Sequence, residues 1–351
     1  MSCYSSLLNS CPNLQQSLND YFDGCMNGLF KESLPQLEFL LSETNTNGIA
    51  QSVSPGGGKV RKVDVRYKKR LLESSVSAGD DFATCATGNL IGDCLHTYEI
   101  DPHDNYYHSV TFKASDLQYS CEANPMYFEE VLMMLIDVVE RKVATRVAQD
   151  TISLIGNWAS DVSGVTNDFL AVKTLKDGTT QDPAFDAMEA IDLAMMKTGY
   201  CMPAVIFASD TLYKYYRLVQ HGCCAATGVD LGGVVSEFGK ATLWDRRIQS
   251  ALGGTAKNIL VGVGALQLLT YNNTGWKDGM PADMGANYFQ MKMVSPRTGL
   301  PFDVKVWDNC GNITIRATAT SRVVGMPADM FASGDVFDGV TYVNGIQVVN
   351  V

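Results

Sequence analysis

The chain has 351 residues, 46% of them apolar and 19% charged, which excludes a disordered or collagen-like protein and allows one large or two medium globular domains. Its net charge of −11 makes the surface as a whole repel nucleic acid and acidic membranes, so contact with either has to come from a local basic patch. The sequence holds no apolar run of ~18 residues, the opening MSCYSSLLNSC resembles no export signal, and the ten cysteines form no C-x-x-C pair. The expectation is an unexported chain with reduced thiols and neither a zinc nor a disulfide framework.

Residues 12 to 42 read as a helical arm, with Leu14, Leu18, Phe22, Cys25 and Leu29 on one stripe. Ser33 and Gln36 form a capping box that opens a second short helix carrying Leu37, Leu40 and Leu41. The polar, glycine-rich stretch 44 to 59 reads as a flexible linker. After it, Lys59, Arg61, Lys62, Arg66, Lys68, Lys69 and Arg70 stand against a single acid, Asp64. Two readings stay open there: a contact to nucleic acid or to an acidic neighbouring subunit, and a solvated strand. Further on, CLHTYEI and YYHSVTF flank the turn-rich DPHDN and predict a hairpin that projects from the body.

Asn124 and Pro125 suit the cap and first position of a helix, and Glu129 and Glu130 complement its dipole. Val131, Leu135, Val138, Val139, Val143 and Val147 continue its apolar stripe to about Gly156, with Asp137 and Arg141 spaced for an i,i+4 ion pair. Residues 182 to 271 read as an α/β unit: a helix opened by Asp182 and Pro183, the buried strand PAVIFAS, a helix capped by Ser209, a glycine-rich loop, and the strand material NILVGVGALQLLTY. The last third reads as a three-strand meander turning at SPRTG and DNCGN, with Phe302, Val304 and Val306 alternating against Asp303 and Lys305. A closing hairpin is expected at Asn344-Gly345.

No constellation demands chemistry. Gly262-Val263-Gly264 lacks the third glycine of a dinucleotide loop and opens no helix. Cys94, His96, His103 and His108 match no zinc spacing, although the expected hairpin would bring their strands together. Cys223 or Cys224 beside His221 lacks a visible orienting acid. Asp245, Arg246 and Arg247 read as a solvated or inter-subunit salt-bridge cluster rather than a catalytic one. The helical arm has one base, Lys31, so it suits a protein surface better than a membrane.

The order of these parts resembles the Hong Kong 97 fold of tailed-bacteriophage major capsid proteins, an α+β architecture. The phrase Ala204 to Leu212 is similar to the strand-then-helix of that family's axial domain, and Gly239 to Trp244 followed by Asn258 to Gly262 to its strand, loop and strand near the symmetry axis. SPRTGLPFDVKVWDNCGNITIRA resembles the strands that return to the peripheral domain. The resemblance implies an N-terminal arm at 1-58, an extended loop at 59-121, a peripheral domain with the spine helix at 122-183 and 286-351, and an axial domain at 184-285. It further implies a structural protein without catalytic residues, cofactor or metal. Copies would assemble in the host bacterial cytoplasm as pentamers and hexamers of an icosahedral virion shell around double-stranded DNA, without sequence-specific contact and without a membrane. Portal, scaffolding or decoration proteins are the further partners implied. The residues 59 to 70 and 245 to 247 named above become candidate inter-subunit contacts. Two alternatives remain: an encapsulin-type compartment shell, and a soluble α/β enzyme using the Cys223 loop.

Overall fold

The computed structural model describes residues 32–46, 51–55, 61–67, 94–100, 104–113, 126–155, 203–210, 212–213, 234–237, 240–253, 257–262, 264–271, 288–309, 311–326, 336–337, 340–341 and 346–350. The fold mixes helix and strand. The chain divides into two compact units, each drawn from three stretches: Met1–Ser42, Ile100–Val147 and Leu268–Arg322 form one, and Glu43–Glu99, Ala148–Gln267 and Val323–Val351 the other.

The first unit is built on an antiparallel sheet. Strands β10 (Tyr288–Val294), β11 (Pro301–Asn309) and β12 (Asn312–Gly325) form the expected meander, and β4 (Asn105–Lys113) adds to the free edge of β12. Strand β9 (Leu266–Tyr271) pairs with β12 off this path. The two meander turns place Gly299 at φ +79 and Gly311 at φ +85, left-handed values that glycine takes without the Cβ penalty. Across β10, β11 and β12 one sheet face is apolar, with Met293, Phe302, Val304, Val306, Ile313, Ile315, Ala317 and Ala319 all buried, while β4 brings the exposed His108 opposite Ala317. Asp303 is buried as well, where alternation alone predicts an exposed residue; Gln290 Nε2 donates to its Oδ1 at 2.7 Å and Lys305 Nζ lies 3.7 Å from Oδ2.

Two helices contribute to this unit. Helix α1 (Pro35–Thr46) buries Leu37, Leu40 and Leu41 as the sequence predicts, but it opens at Pro35, the first-turn position proline suits, so Leu34 and not Ser33 occupies the cap position. Helix α2 (Met126–Ser153) is a continuous rod of ~42 Å at ~1.5 Å per residue. Leu135, Val139, Val143 and Val147 face inward as expected, together with Leu132, Met133, Ile136 and Ala144. Val138 does not: it is 40% exposed, because a face centred on 132, 136, 143 and 147 leaves it on the solvent side. The cap residue Asn124 lies outside the described residues.

In the second unit β1 (Gln51–Pro55), β2 (Arg61–Tyr67) and β3 (Cys94–Ile100) form a three-stranded sheet in that order. The stretch 44 to 59 is therefore not a structureless linker: it holds the end of α1 and β1, and β1 pairs with β2 from Gln51↔Val65 to Pro55↔Arg61. Its glycine run is the connection between two paired strands. The expected hairpin between CLHTYEI and YYHSVTF is also corrected, since β3 pairs with β2 while β4 pairs with β12 in another sheet.

The main sheet of this unit runs β15-β8-β5-β7-β6, with β5 (Pro203–Phe207) and β7 (Lys240–Leu243) parallel and the other pairs antiparallel. Its remaining strands are β6 (Val234–Glu237), β8 (Lys257–Gly262) and β15 (Ile346–Asn350), and helix α3 (Arg246–Leu252) follows β7. The closing hairpin expected at Asn344-Gly345 is absent from the described pairing: β15 pairs with β8, and the short hairpin joins β13 (Val336–Phe337) to β14 (Val340–Thr341) instead. The two residues between them are Asp338 and Gly339, an equally good turn dipeptide that adjacency to a stronger strand pattern obscured. The helix expected after Asp182, the rest of the helix expected at 210 to 221 beyond Tyr213, and the loop 221 to 233 fall outside the described residues.

Candidate functional site

The basic run predicted as a contact surface lies on and beyond β2. Lys62 Nζ sits 3.4 Å from Glu99 Oε1, with both side chains well exposed, so water screens the pair and its net worth is small. Arg61 and Arg66 are backbone positions of the same strand, and Lys59, Lys68, Lys69 and Arg70 lie outside the described residues. Asp245, Arg246 and Arg247 divide their roles. Asp245 is the N-cap of α3, with extended backbone and a carboxylate accepting from Arg247 N at 2.8 Å; Arg247 is buried and Arg246 is exposed.

An enzyme with a parallel strand pair would hold its ligand where the carboxyl ends of those strands meet two helix starts. Here that edge is answered from within the fold. Ser209 Oγ accepts from Leu212 N at 3.2 Å, Ser209 N donates to Asn258 Oδ1 at 2.6 Å, and Gln249 Nε2 donates to Ala208 O at 2.9 Å. Trp244 Nε1 donates to Asp210 Oδ1 at 2.5 Å. The cap role predicted for Ser209 is thus present. Gly264, at φ +73, lies in the turn between β8 and β9, so the Gly-Val-Gly phrase opens no helix. Cys94 and His96 are on β3 and His108 on β4, strands of different sheets, and among the described residues no group of three metal-ligating side chains occurs.

The described surface most unlike a bland one is the outward face of the β10-β11-β12-β4 sheet. Register sets the row Gln290, Lys305, Arg316 and Ser109 side by side across all four strands. Arg316 is the centre: its Cζ lies 4.9 Å from the Tyr107 ring centroid and 5.0 Å from that of Trp307, and its Nε donates to Ser109 Oγ at 2.9 Å. Tyr107 pairs opposite Thr318 and Trp307 opposite Thr314, so the two rings flank the guanidinium diagonally from neighbouring strands. Thr111 and Thr314 share a hydrogen bond of 2.9 Å on the same face.

Behind this face the β10–β11 turn is pinned to α2. Arg297, its side chain 5% exposed, donates to Asp137 Oδ1 at 2.9 Å, to Glu140 Oε2, and to Glu32 O at 3.4 Å. Glu140 is fully buried and also accepts from Thr298 Oγ1 at 2.6 Å, while Asp137 keeps the predicted i,i+4 partner Arg141 at 2.9 Å. Sequence reasoning found Asp137 and Arg141 but missed Glu140 and Arg297. Only the adjacency of an acid to the apolar stripe could have signalled them.

No family model matches this chain, and no curated protein does. Solved structures do. The chain is similar to the Cyanophage A-1(L) capsid asymmetric unit, with 12% identity and a TM-score of 0.46 over 90% of this chain and 92% of that one. It is similar to the capsid of Ralstonia phage GP4, with 12% identity and a TM-score of 0.34 over 84% of each chain. It is also similar to a chain of the satellite phage P4 procapsid, with 8% identity and a TM-score of 0.32 over 82% of this chain and 89% of that one.

Proposed function

We propose that this chain is a shell subunit, the major capsid protein of a tailed bacteriophage, whose copies tile an icosahedral virion shell as pentamers and hexamers around double-stranded DNA. The observation that carries the reading is the route of the chain: strands β1 to β3, then β4 on the edge of a distant meander, then the unbroken rod α2, the mixed sheet around β5, and the return into β10 to β12. That order supports a Hong Kong 97-type division into an arm at 1-58, an extended loop at 59-121, a peripheral domain at 122-183 and 286-351 around α2, and an axial domain at 184-285, except that β15, within 286-351, joins the sheet of β8 and β5. Assembly in the bacterial cytoplasm, with portal, scaffolding or decoration proteins as further partners, belongs to the same reading. Many modest interfaces, each of which has to overcome its own ordering cost, suit reversible assembly of such a shell.

The test is expression of the full chain followed by velocity sedimentation and negative-stain electron microscopy. Closed particles carrying nucleic acid, or able to assemble empty, are expected; a stable monomer under all assembly conditions refutes the reading. Particles that purify with protein cargo and no DNA would turn it towards the encapsulin-type shell.

A further inference from the structure

We propose that the outward face of the β10-β11-β12-β4 sheet is a docking surface for carboxylates of a second copy of this chain, centred on Arg316 between Tyr107 and Trp307. The inference rests on the shell reading and names a partner surface within it.

Charge comes first. Lys113, Lys292, Lys305 and Arg316 share this face with one carboxylate, Asp303, in a chain whose net charge is −11. Any second copy is therefore acidic overall, and this patch is of the opposite sign. Lys305 stands directly opposite Arg316, a like-charged cross-strand pair that Asp303, 3.7 Å from Lys305 Nζ, offsets on the Lys305 side only. An anion bridging the two cations would relieve that repulsion.

Chemistry then narrows the partner. Both rings lie within about 5 Å of Arg316 Cζ and Ser109 takes Nε, so among the described residues its two terminal nitrogens are the donors left to meet a planar oxyanion. Pre-ordering of this kind lowers the entropy cost of binding. Tyr107 is 62% exposed and Val294, on the same face, 49% exposed. Tyrosine, tryptophan and arginine together are the residues that dominate protein interfaces, and exposed ring and aliphatic surface gains from a protein partner. Duplex DNA would leave that surface wet. It would engage at most the four cations, and binding of that kind weakens steeply with salt.

Size fixes the kind of contact. Four strands ~4.8 Å apart and about seven residues long give a face of roughly 400 Å². This is about half of the ~800 Å² per partner that a free-standing complex buries. The face is therefore one contact among several, effective in a lattice and too small to hold a dimer alone.

The experiment compares assembly of the full chain with that of Tyr107→Ala and Arg316→Glu. Sedimentation and electron microscopy read the assembled fraction, and circular dichroism with thermal melting reads folding. Loss of assembled particles by about tenfold or more, with Tyr107→Ala melting within a few degrees of the parent, is expected. A photo-crosslinking amino acid at position 107 gives a second readout that does not depend on a destabilising change. It should trap a dimer of the chain whose partner peptide contains Asp or Glu. Shells that form normally in both variants overturn the proposal and leave the shell reading standing. Cross-links to DNA, or none between copies in assembled shells, overturn it also. A parent chain that never assembles sinks the shell reading and, with it, this proposal.

Discussion

Replacing Arg297 by methionine should destabilise the first unit by about 3–5 kcal/mol, the range for leaving one member of a buried ion pair uncompensated. The magnitude follows from where each partner stands. Asp137 keeps Arg141 at 2.9 Å and is partly solvated, so it loses little. Glu140 is fully buried and among the described residues retains only the Thr298 hydroxyl, at 2.6 Å, so its desolvated charge carries most of the penalty. The same change frees the turn from Glu32 O. At roughly 2–4 °C per kcal/mol for a domain of moderate size, the melting temperature should fall by about 6–20 °C. The assay is urea denaturation and scanning calorimetry of Arg297→Met, of Glu140→Leu, and of the double variant. Replacing both charges by apolar groups should recover most of the loss, because no buried charge is then stranded. A single variant within about 1 kcal/mol of the parent, or a double variant no better than Arg297→Met, would refute the reasoning.

Other outcomes follow from the turns and caps. Gly299→Ala should cost about 1–2 kcal/mol in urea midpoint, since φ +79 disfavours any Cβ although nothing lies within 4 Å of it. Asp245→Ala removes the acceptor of Arg247 N and should cost about 1 kcal/mol, read as faster amide exchange in α3 and not in β5. Asn258→Ala leaves the buried Ser209 N without its 2.6 Å acceptor and should cost about 1–3 kcal/mol by chemical denaturation.

The elements legible in the sequence were those specified by neighbours along the chain. The β10 to β12 meander announced itself through two glycine turns and strict alternation, α2 through its stripe, and the Ser209 cap through its place after a buried strand. What stayed hidden was partner choice. YYHSVTF reads as half of a local hairpin, yet β4 finds its better match in β12, where Val110 meets Ile315 and Thr111 meets Thr314. IQVVNV likewise joins β8, with Val348 opposite Ile259, and no local signal encodes that alignment. The Arg316 site was illegible for the same reason: alternation puts Tyr107, Ser109 and Thr111 on one side of β4, but the register to a strand some two hundred residues later is what sets the rings around the guanidinium. Glu140 and Arg297 went unnoticed because a buried acid on a helix looks like its polar side until its distant partner is known.

The pairing of β4 with β12 has a temporal meaning. The Ser109–Arg316 bond spans 207 residues of chain, and at roughly 5–20 residues per second a ribosome needs on the order of 10–40 s to make that length. Until then Tyr107 has neither Arg316 nor a finished sheet beside it, and the cation clamp does not exist on any nascent or truncated chain that stops short of β12. Completion of translation is thereby written into the surface: a subunit cut short before β12 lacks the very face that joins the two ends of its history.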